Sequence, residues 1–302
     1  MSDTLNYIGR RIAKNIEDLL THLCIHHRLH WRVKDLDSLK TKIQTKRQTK
    51  GENYYSIDGR KVQDILGFRI TTYFYDDVKV LWEIFHDTFN VVNEEYDEEQ
   101  IDVFAPLRKN MVCRMPPALA QMHNELRQSD ENYVLTDATF EIQFRTTLSE
   151  GWHEIDHALR YKCKTDWDKH EDEERAFNGI FAALEANDRM VKSLFDDLAY
   201  DHYKQGKWEA LLRTKFRLHF NNKSSFSLSD ILKDHHKWAK SIIRCNRNTL
   251  LKNIAKYQLY FPMTYDNLFW MVMYFEFPDD KEIQELIPAR LLDELNMRTK
   301  GM

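Results

Sequence analysis

Glycine is scarce in this chain, with 8 in 302 residues. Neither Gly-x-x-x-x-Gly-Lys-Ser/Thr nor Gly-x-Gly-x-x-Gly occurs, so the P-loop and the dinucleotide-binding turn are both disfavoured as phosphate cradles. The four cysteines (Cys24, Cys113, Cys163, Cys245) lie far apart and form no Cys-x-x-Cys pair. They read as reduced thiols of a cytoplasmic protein rather than a zinc ribbon or a disulfide framework. Neither sign of charge dominates: 44 Lys and Arg face 48 Asp and Glu. No global field therefore favours nucleic acid, and any polyanion contact must be local. Long apolar runs are missing too. The longest, residues 268–275, is far short of the ~20 residues that span a bilayer, so no membrane contact is expected. No apolar run follows a basic start, so no secretory signal is expected. There is no repeat, no low-complexity tract and no Pro/Gly/Ser linker.

Hydrophobic residues make up 42% of the chain, enough to build a core for one large domain or two small ones. Ile8, Ile12, Ile16, Leu19, Leu20 and Leu23 repeat at helical spacing and predict a helix over residues 7–30. A basic segment follows, with Arg32, Lys34, Lys40, Lys42, Lys46, Arg47 and Lys50, and then a polar loop over 51–59. Residues 64–74 read as a strand rich in β-branched and aromatic residues. Asp76 and Asp77 open a helix with acids in its first turn. Residues 104–115 read as loop and strand, stopped by Pro116 and Pro117. Residues 140–146 alternate strictly: Phe140, Ile142 and Phe144 on one face, Glu141, Gln143 and Arg145 on the other. Residues 152–162 read as a helix with His153, His157 and Arg160 on one side and Trp152, Ile155 and Leu159 on another. A long helix carries Phe177 through Leu198, and several helices follow residue 206. The fold class is α+β: a mixed sheet flanked by helices, completed by a helical C-terminal extension. The expected division is 1–205 and 206–302.

A half-buried strand needs one apolar face. It does not need an acid, an amide and a guanidinium aligned on the other. Mg²⁺ takes one or two carboxylates together with phosphate oxygens and water, and Asp64 and Glu141, on two strands, could supply those carboxylates. Arg32 and Lys34, with Lys40, Lys42 and Lys46 beyond, could clamp a polyphosphate: lysine as a point charge, arginine as a fork. Each of these features alone is equally compatible with a solvated surface.

Their order is more specific. Arg32-x-Lys34-x-x-x-Ser38, then Asp64-Ile65-Leu66-Gly67-Phe68-Arg69, then Glu141-Ile142-Gln143-Phe144-Arg145-Thr146, then Trp152, His157 and Tyr161-Lys162, follow one another along the chain. This series resembles the RelA/SpoT synthetase domain of alarmone synthetases over roughly residues 5–200. The resemblance implies a core like that of polymerase-β-type nucleotidyltransferases. It also implies transfer of the β,γ-pyrophosphate of ATP to a ribose 3′-hydroxyl, usually of GDP or GTP. Carried over by motif, Arg32, Lys34, Ser38, Lys40, Lys42 and Lys46 would hold ATP. Asp64 and Glu141 would be the catalytic acids and bind Mg²⁺. Gln143, Arg145, His157 and Lys162 would line the acceptor or the transferred group.

One segment departs from the pattern. Between its two acid strands the family carries a Gly-Tyr-Arg-Ser/Gly-x-His-type loop, whose tyrosine stacks on guanine. Here residues 104–113 offer no tyrosine, and Phe104, Arg108 and Lys109 would have to serve the acceptor instead. An adenosine nucleotide or the 3′ end of tRNA therefore stands as an alternative acceptor, as in toxin-type relatives, and a non-catalytic nucleotide-binding module as a third reading. No hydrolase motif and no regulatory module is recognised, so a small synthetase-only protein is expected. A homo-oligomer, and an antitoxin or trigger protein at the C-terminal extension, are the partners to consider.

Overall fold

In the computed structural model, residues 3–97, 109–221 and 227–300 are described. Helix α1 (Asp3–His22) buries Ile8, Ile12, Ile16 and Leu20 along one face. It ends well before residue 30, where the sequence predicted its end. Cys24 turns the chain with a left-handed φ of 54°, and His27–Val33 form strand β1. The helical period stops at Leu23. Beyond it Leu29, Trp31 and Val33 recur every second residue with the exposed His30 and Arg32 between them, which is the spacing of a strand.

Helix α2 (Leu36–Lys50) is followed by β2 (Leu66–Thr72), α3 (Tyr75–Thr88), β3 (Val91–Tyr96), β4 (Lys109–Arg114), α4 (Pro117–Ser129) and β5 (Thr139–Thr146). The five strands make one mixed sheet in the order β1-β2-β5-β4-β3, with β2 and β5 parallel and the other neighbours antiparallel. The expected α+β class is the one observed. Strand β3 and helix α4 were not expected. Pro116 and Pro117 do end the strand, but Pro117 is also the first residue of α4, where a missing N–H is harmless.

One face of the sheet is apolar. Phe68, Phe140, Ile142 and Phe144 are almost completely buried there. Helix α3 covers part of it, with Trp82 and Phe85 at 5.7 and 5.4 Å from the Phe144 ring. Helix α1 approaches at Trp31, which lies 6.2 Å from Phe68. Gly9 makes this approach possible, since a Cβ there would stand 2.3 Å from the Trp31 ring. The other face of the sheet carries the polar side chains of β1, β2 and β5.

After β5 the chain enters α5 (Thr147–Ile155), started by a reciprocal capping box of Thr146 and Ser149. The helix then widens into a π-helical turn, Asp156–Tyr161. An unbroken α-helix was expected here. The wider turn changes which residues share a face. Trp152 is buried against Phe177 and Phe181 of α6 (Glu171–Lys204), whereas Ile155 and Leu159 are exposed.

The chain divides into two compact units: Met1–Asp18, His27–Tyr73 and Leu81–Ala186 in the first, and Leu19–His26, Phe74–Val80 and Asn187–Met302 in the second. The second unit holds α7 (Trp208–Phe216), α8 (Leu228–Asp234), α9 (His236–Arg244), α10 (Arg247–Lys256), α11 (Tyr265–Glu276), α12 (Lys281–Leu286) and α13 (Ala289–Lys300). The aromatic-rich run of α11 is its buried centre, with Leu268, Phe269, Val272 and Met273 fully enclosed. Within this unit Arg247 meets the buried Asp77 at 2.5 Å and donates to the Phe216 carbonyl, while Arg217 pairs with Asp76 at 2.5 Å. Among the described residues no helix is long and apolar enough to cross a membrane.

Two stability tests follow from this packing. Gly9→Ala gains helix propensity but drives a methyl into the Trp31 ring, so a net loss of about 1–2 kcal/mol is expected in denaturant unfolding. Arg247→Met strands the Asp77 carboxylate and should cost about 3–5 kcal/mol, with much of that recovered in the Arg247→Met/Asp77→Leu double variant.

Candidate active site

Sheet register builds the site. Arg32 of β1, Gly67 of β2 and Glu141 of β5 stand side by side on the polar face. The next row holds His30, Arg69, Gln143 and Asn110, and the row beyond holds Arg28, Thr71 and Arg145. Gly67 leaves open space between Arg32 and Glu141, since nothing lies within 4 Å of where a Cβ would be. The result is a cleft of about 200 Å³ whose walls include Lys34, Asp64, Arg69, Glu141 and Glu154.

Asp64 is fixed from several directions. Ahead of it, Val62 bonds backbone to backbone with Leu135 and Asp137, and after it the Ile65 carbonyl accepts from the Lys34 N–H at 2.9 Å. That last bond brings the Lys34 ammonium onto Asp64 Oδ2. The same oxygen accepts from Lys42 at 2.6 Å, delivered by α2, whose first turn is capped by Asp35 accepting from the Ser38 N–H. Burial pushes the Asp64 carboxyl up, but the two ammoniums outweigh it and hold it below the usual carboxylate range. Its second oxygen, Oδ1, is buried with no hydrogen-bond partner. Glu141 is perturbed the other way: burial first, then the neighbouring Asp64, raise its carboxyl above the ordinary value. Gln143 Nε2 donates to Glu141 Oε2 at 2.9 Å.

Arg69 ties the floor to the wall. Its Nε donates to Gln143 Oε1 at 3.3 Å, and its Nη1 bonds Glu150 and Glu154, one helical turn apart on α5. Arg145 is also drawn in, its guanidinium shifted down by burial and by Arg69. His153 is held neutral: burial, then Arg145 and Arg69, lower its imidazole to about 3. Burial, and then Lys162 and Arg32, lower the imidazole of His157, which is not among the residues that line the cleft.

Of the residues singled out from the sequence, the structure gathers Arg32, Lys34, Lys42, Asp64, Glu141, Gln143 and Arg145 in or against the cleft. Lys40 is exposed on α2 and Lys46 half-buried, and Ser38 contributes its backbone N–H to the helix cap. Lys109 is corrected. It belongs to the opposite parity of β4 from Asn110 and is buried, 5.4 Å from the Tyr96 ring centre, away from the polar face. Phe104 and Arg108 lie outside the described residues. Sequence reasoning missed His30, Arg69, Glu150 and Glu154. Arg69 closed a quoted motif and Glu150 and Glu154 have helical spacing, but their shared contact depends on the β2–β5 pairing.

Residues 31–166 match the family model described as "Region found in RelA / SpoT proteins". The chain carries a RelA/SpoT region. All of the ordered motifs from Arg32 to Lys162 fall inside it, and it is narrower than the span of 5–200 expected from the motifs. No curated protein matches the chain. Among solved structures, a GTP pyrophosphokinase family protein from Streptococcus pneumoniae is 20% identical, over 64% of this chain and 90% of its own, with a TM-score of 0.47. Small alarmone synthetase 1 from Bacillus subtilis is 20% identical over 62% of this chain and 92% of its own, with a TM-score of 0.43. The same synthetase bound to its product pppGpp is 19% identical over 64% and 95%, also with a TM-score of 0.43.

The electrostatics of the RelA/SpoT region give a signed expectation for pH. His153 takes up its proton near pH 6.5 when unfolded but only near 3 when folded. Between those values the unfolded state binds more protons, so stability falls as pH falls. His153→Gln should flatten that acid limb by up to ~1.4 kcal/mol per pH unit in urea titrations. An unchanged slope would show that the imidazole is not held neutral.

Proposed function

We propose that this cleft transfers the β,γ-pyrophosphate of ATP to the ribose 3′-hydroxyl of a guanosine nucleotide. One observation carries the reading: within a RelA/SpoT region, a carboxylate held ionised by two lysines and a second carboxylate raised by burial share one cleft with Arg32 and Arg69. Binding alone would not require two carboxylates of opposite perturbation, and such a pair suits acid–base work near neutral pH.

The residues divide the task. Arg32, Lys34 and Lys42 receive the phosphates of ATP. The acceptor 3′-oxygen attacks the β-phosphorus, the bond from the β-phosphorus to the oxygen shared with the α-phosphate breaks, and AMP leaves. Glu141, whose raised carboxyl is the better base, takes the hydroxyl proton. Gln143 fixes the rotamer of Glu141 through Oε2, and Arg69 fixes Gln143. No covalent intermediate is needed, because positioning and charge neutralisation suffice for this class of transfer.

The donor set fits Mg²⁺. Asp64 Oδ1 is a buried oxygen without a partner, and Glu141 is a second hard oxygen donor in the same cleft. Among the described residues no cluster of three or more His, Cys, Asp or Glu is built to hold a metal, so phosphate oxygens and water would complete the shell. Bound there, Mg²⁺ would supply charge neutralisation for the transferring group.

The test is a transfer assay with γ-labelled ATP and Mg²⁺, offering GDP, GTP, ADP, AMP and deacylated tRNA separately. Label should move to GDP or GTP. Glu141→Gln should lower the rate by about 10²–10⁴-fold while ATP still binds. Label on adenosine nucleotides or tRNA would move the chain to the toxin-type reading, and full activity of Glu141→Gln would remove the proposed base.

A further inference from the structure

Beyond Glu141 the sheet continues toward a second cleft. The row of Arg32, Gly67 and Glu141 runs on through Val112 of β4 to Asn93 of β3. At about 4.8 Å per strand, Asn93 stands roughly 10 Å from Glu141. It lines a cleft of about 410 Å³ together with Arg60, Lys61, Gln63 and Asp137. That volume falls within the roughly 300–1,000 Å³ of sites that enclose a small molecule. No residue lines both this cleft and the reaction cleft.

Two local irregularities of the backbone build it. Val91 pairs with Cys113 and Asn93 with Val112, so Val92 is an extra residue in β3. A bulge of this kind re-aims side chains, and here the consecutive Val92 and Asn93 both line the cleft. Across from them, residues 56–60 make a tight turn: the Ser56 N–H donates to the Arg60 carbonyl at 3.1 Å and the Gly59 N–H to the Ser56 carbonyl at 3.4 Å. A Cβ on Gly59 would stand 2.4 Å from Ser56 Oγ, so this turn takes glycine there. The turn delivers Arg60 and Lys61, and the backbone bond from the Asp137 N–H to the Val62 carbonyl brings Asp137 alongside.

The side chains on offer define a ligand. Among the described residues neither Arg60 nor Lys61 has a carboxylate partner; the Arg60 guanidinium lies 5.0 Å from the Tyr54 ring centre. A guanidinium fork beside an ammonium is suited to phosphate. Asn93 Oδ1 accepts from the Glu94 N–H at 3.0 Å, which leaves its amide N–H groups to donate, and Gln63 adds a second amide. Asp137 uses Oδ1 to accept from the Ala138 N–H at 2.9 Å and keeps Oδ2. That carboxylate would repel a bare phosphate. It asks for a hydroxyl donor on the same ligand. No aromatic ring lines the cleft, so nothing there stacks on a nucleobase.

We propose that this cleft is a second ligand site, separate from the reaction cleft, for a small hydroxylated phosphate ester of the sugar-phosphate class. Arg60 and Lys61 hold the phosphate, Gln63 and Asn93 donate to its oxygens, and Asp137 accepts from a hydroxyl. The site does not rest on the transfer reading, since it binds without turnover and without ATP.

Calorimetry on the full chain, with inorganic phosphate and ribose 5-phosphate as probes, tests it. Ribose 5-phosphate should bind the parent about tenfold more tightly than inorganic phosphate, and Asp137→Asn, which keeps the acceptor for Ala138, should erase most of that difference. Arg60→Gln/Lys61→Met should weaken both probes about tenfold or more, with the urea midpoint unchanged to show that the fold survives. Lys34→Ala/Lys42→Ala, in the reaction cleft, should leave both affinities within about twofold of the parent. The absence of saturable binding by either probe would overturn the site. So would equal affinity of the two probes for the parent, or binding that is lost in Lys34→Ala/Lys42→Ala and kept in Arg60→Gln/Lys61→Met.

Discussion

Asp64 Oδ2 is shared by two ammoniums, and the rest of the cleft depends on that arrangement. Lys34 leaves β1 and Lys42 comes from α2, so one buried oxygen gathers two cationic side chains that would otherwise repel each other. The carboxylate stays ionised despite its burial, and the lysines stay where a polyphosphate would meet them. On the proposed function, an incoming polyphosphate would take over the two ammoniums and leave Asp64 both of its oxygens, of which Oδ1 already has no partner. The site would then exchange one set of charge pairs for another without exposing an uncompensated buried charge, which would cost several kcal/mol.

Register extends this outward from Asp64. The parallel pairing of β2 with β5 sets Gly67 beside Glu141 and Arg69 beside Gln143. A shift of one residue would send Glu141, Gln143 and Arg145 into the apolar face and Phe140, Ile142 and Phe144 into the cleft. The phenylalanines packed under α3 fix the register, so the aromatic core holds the geometry of the cleft as well as the fold. Arg69 then carries the register to α5 through Glu150 and Glu154, and the π-helical turn that follows sets His157 and Tyr161 parallel.

What the sequence showed, and what it hid, follows from how local each signal is. Residues 140–146 were legible because strict alternation is visible within one strand, and Asp64 and Glu141 because they sit in short ordered motifs. Residues 27–33 were misread because a strong helical period ran up to Leu23 and the change to a period of two is brief. The π-helical turn has no local signature in Asp156–Tyr161. Lys109 was chosen for its charge, and only pairing with β5 shows that Asn110, not Lys109, shares the polar face. Glu150 and Glu154 look like ordinary surface acids of a helix until β2 delivers Arg69 to them.

The central claim is that Asp64 restrains Lys34 and Lys42 until phosphate replaces it. Calorimetric titration of ATP into the parent and the Asp64→Asn variant, each with and without Mg²⁺, tests it directly. If the claim holds, Asp64→Asn binds metal-free ATP at least as tightly as the parent, because its ammoniums are already released, and it loses the gain in affinity that Mg²⁺ gives the parent. A marked weakening of metal-free ATP binding in Asp64→Asn, with the Mg²⁺ effect intact, would contradict it.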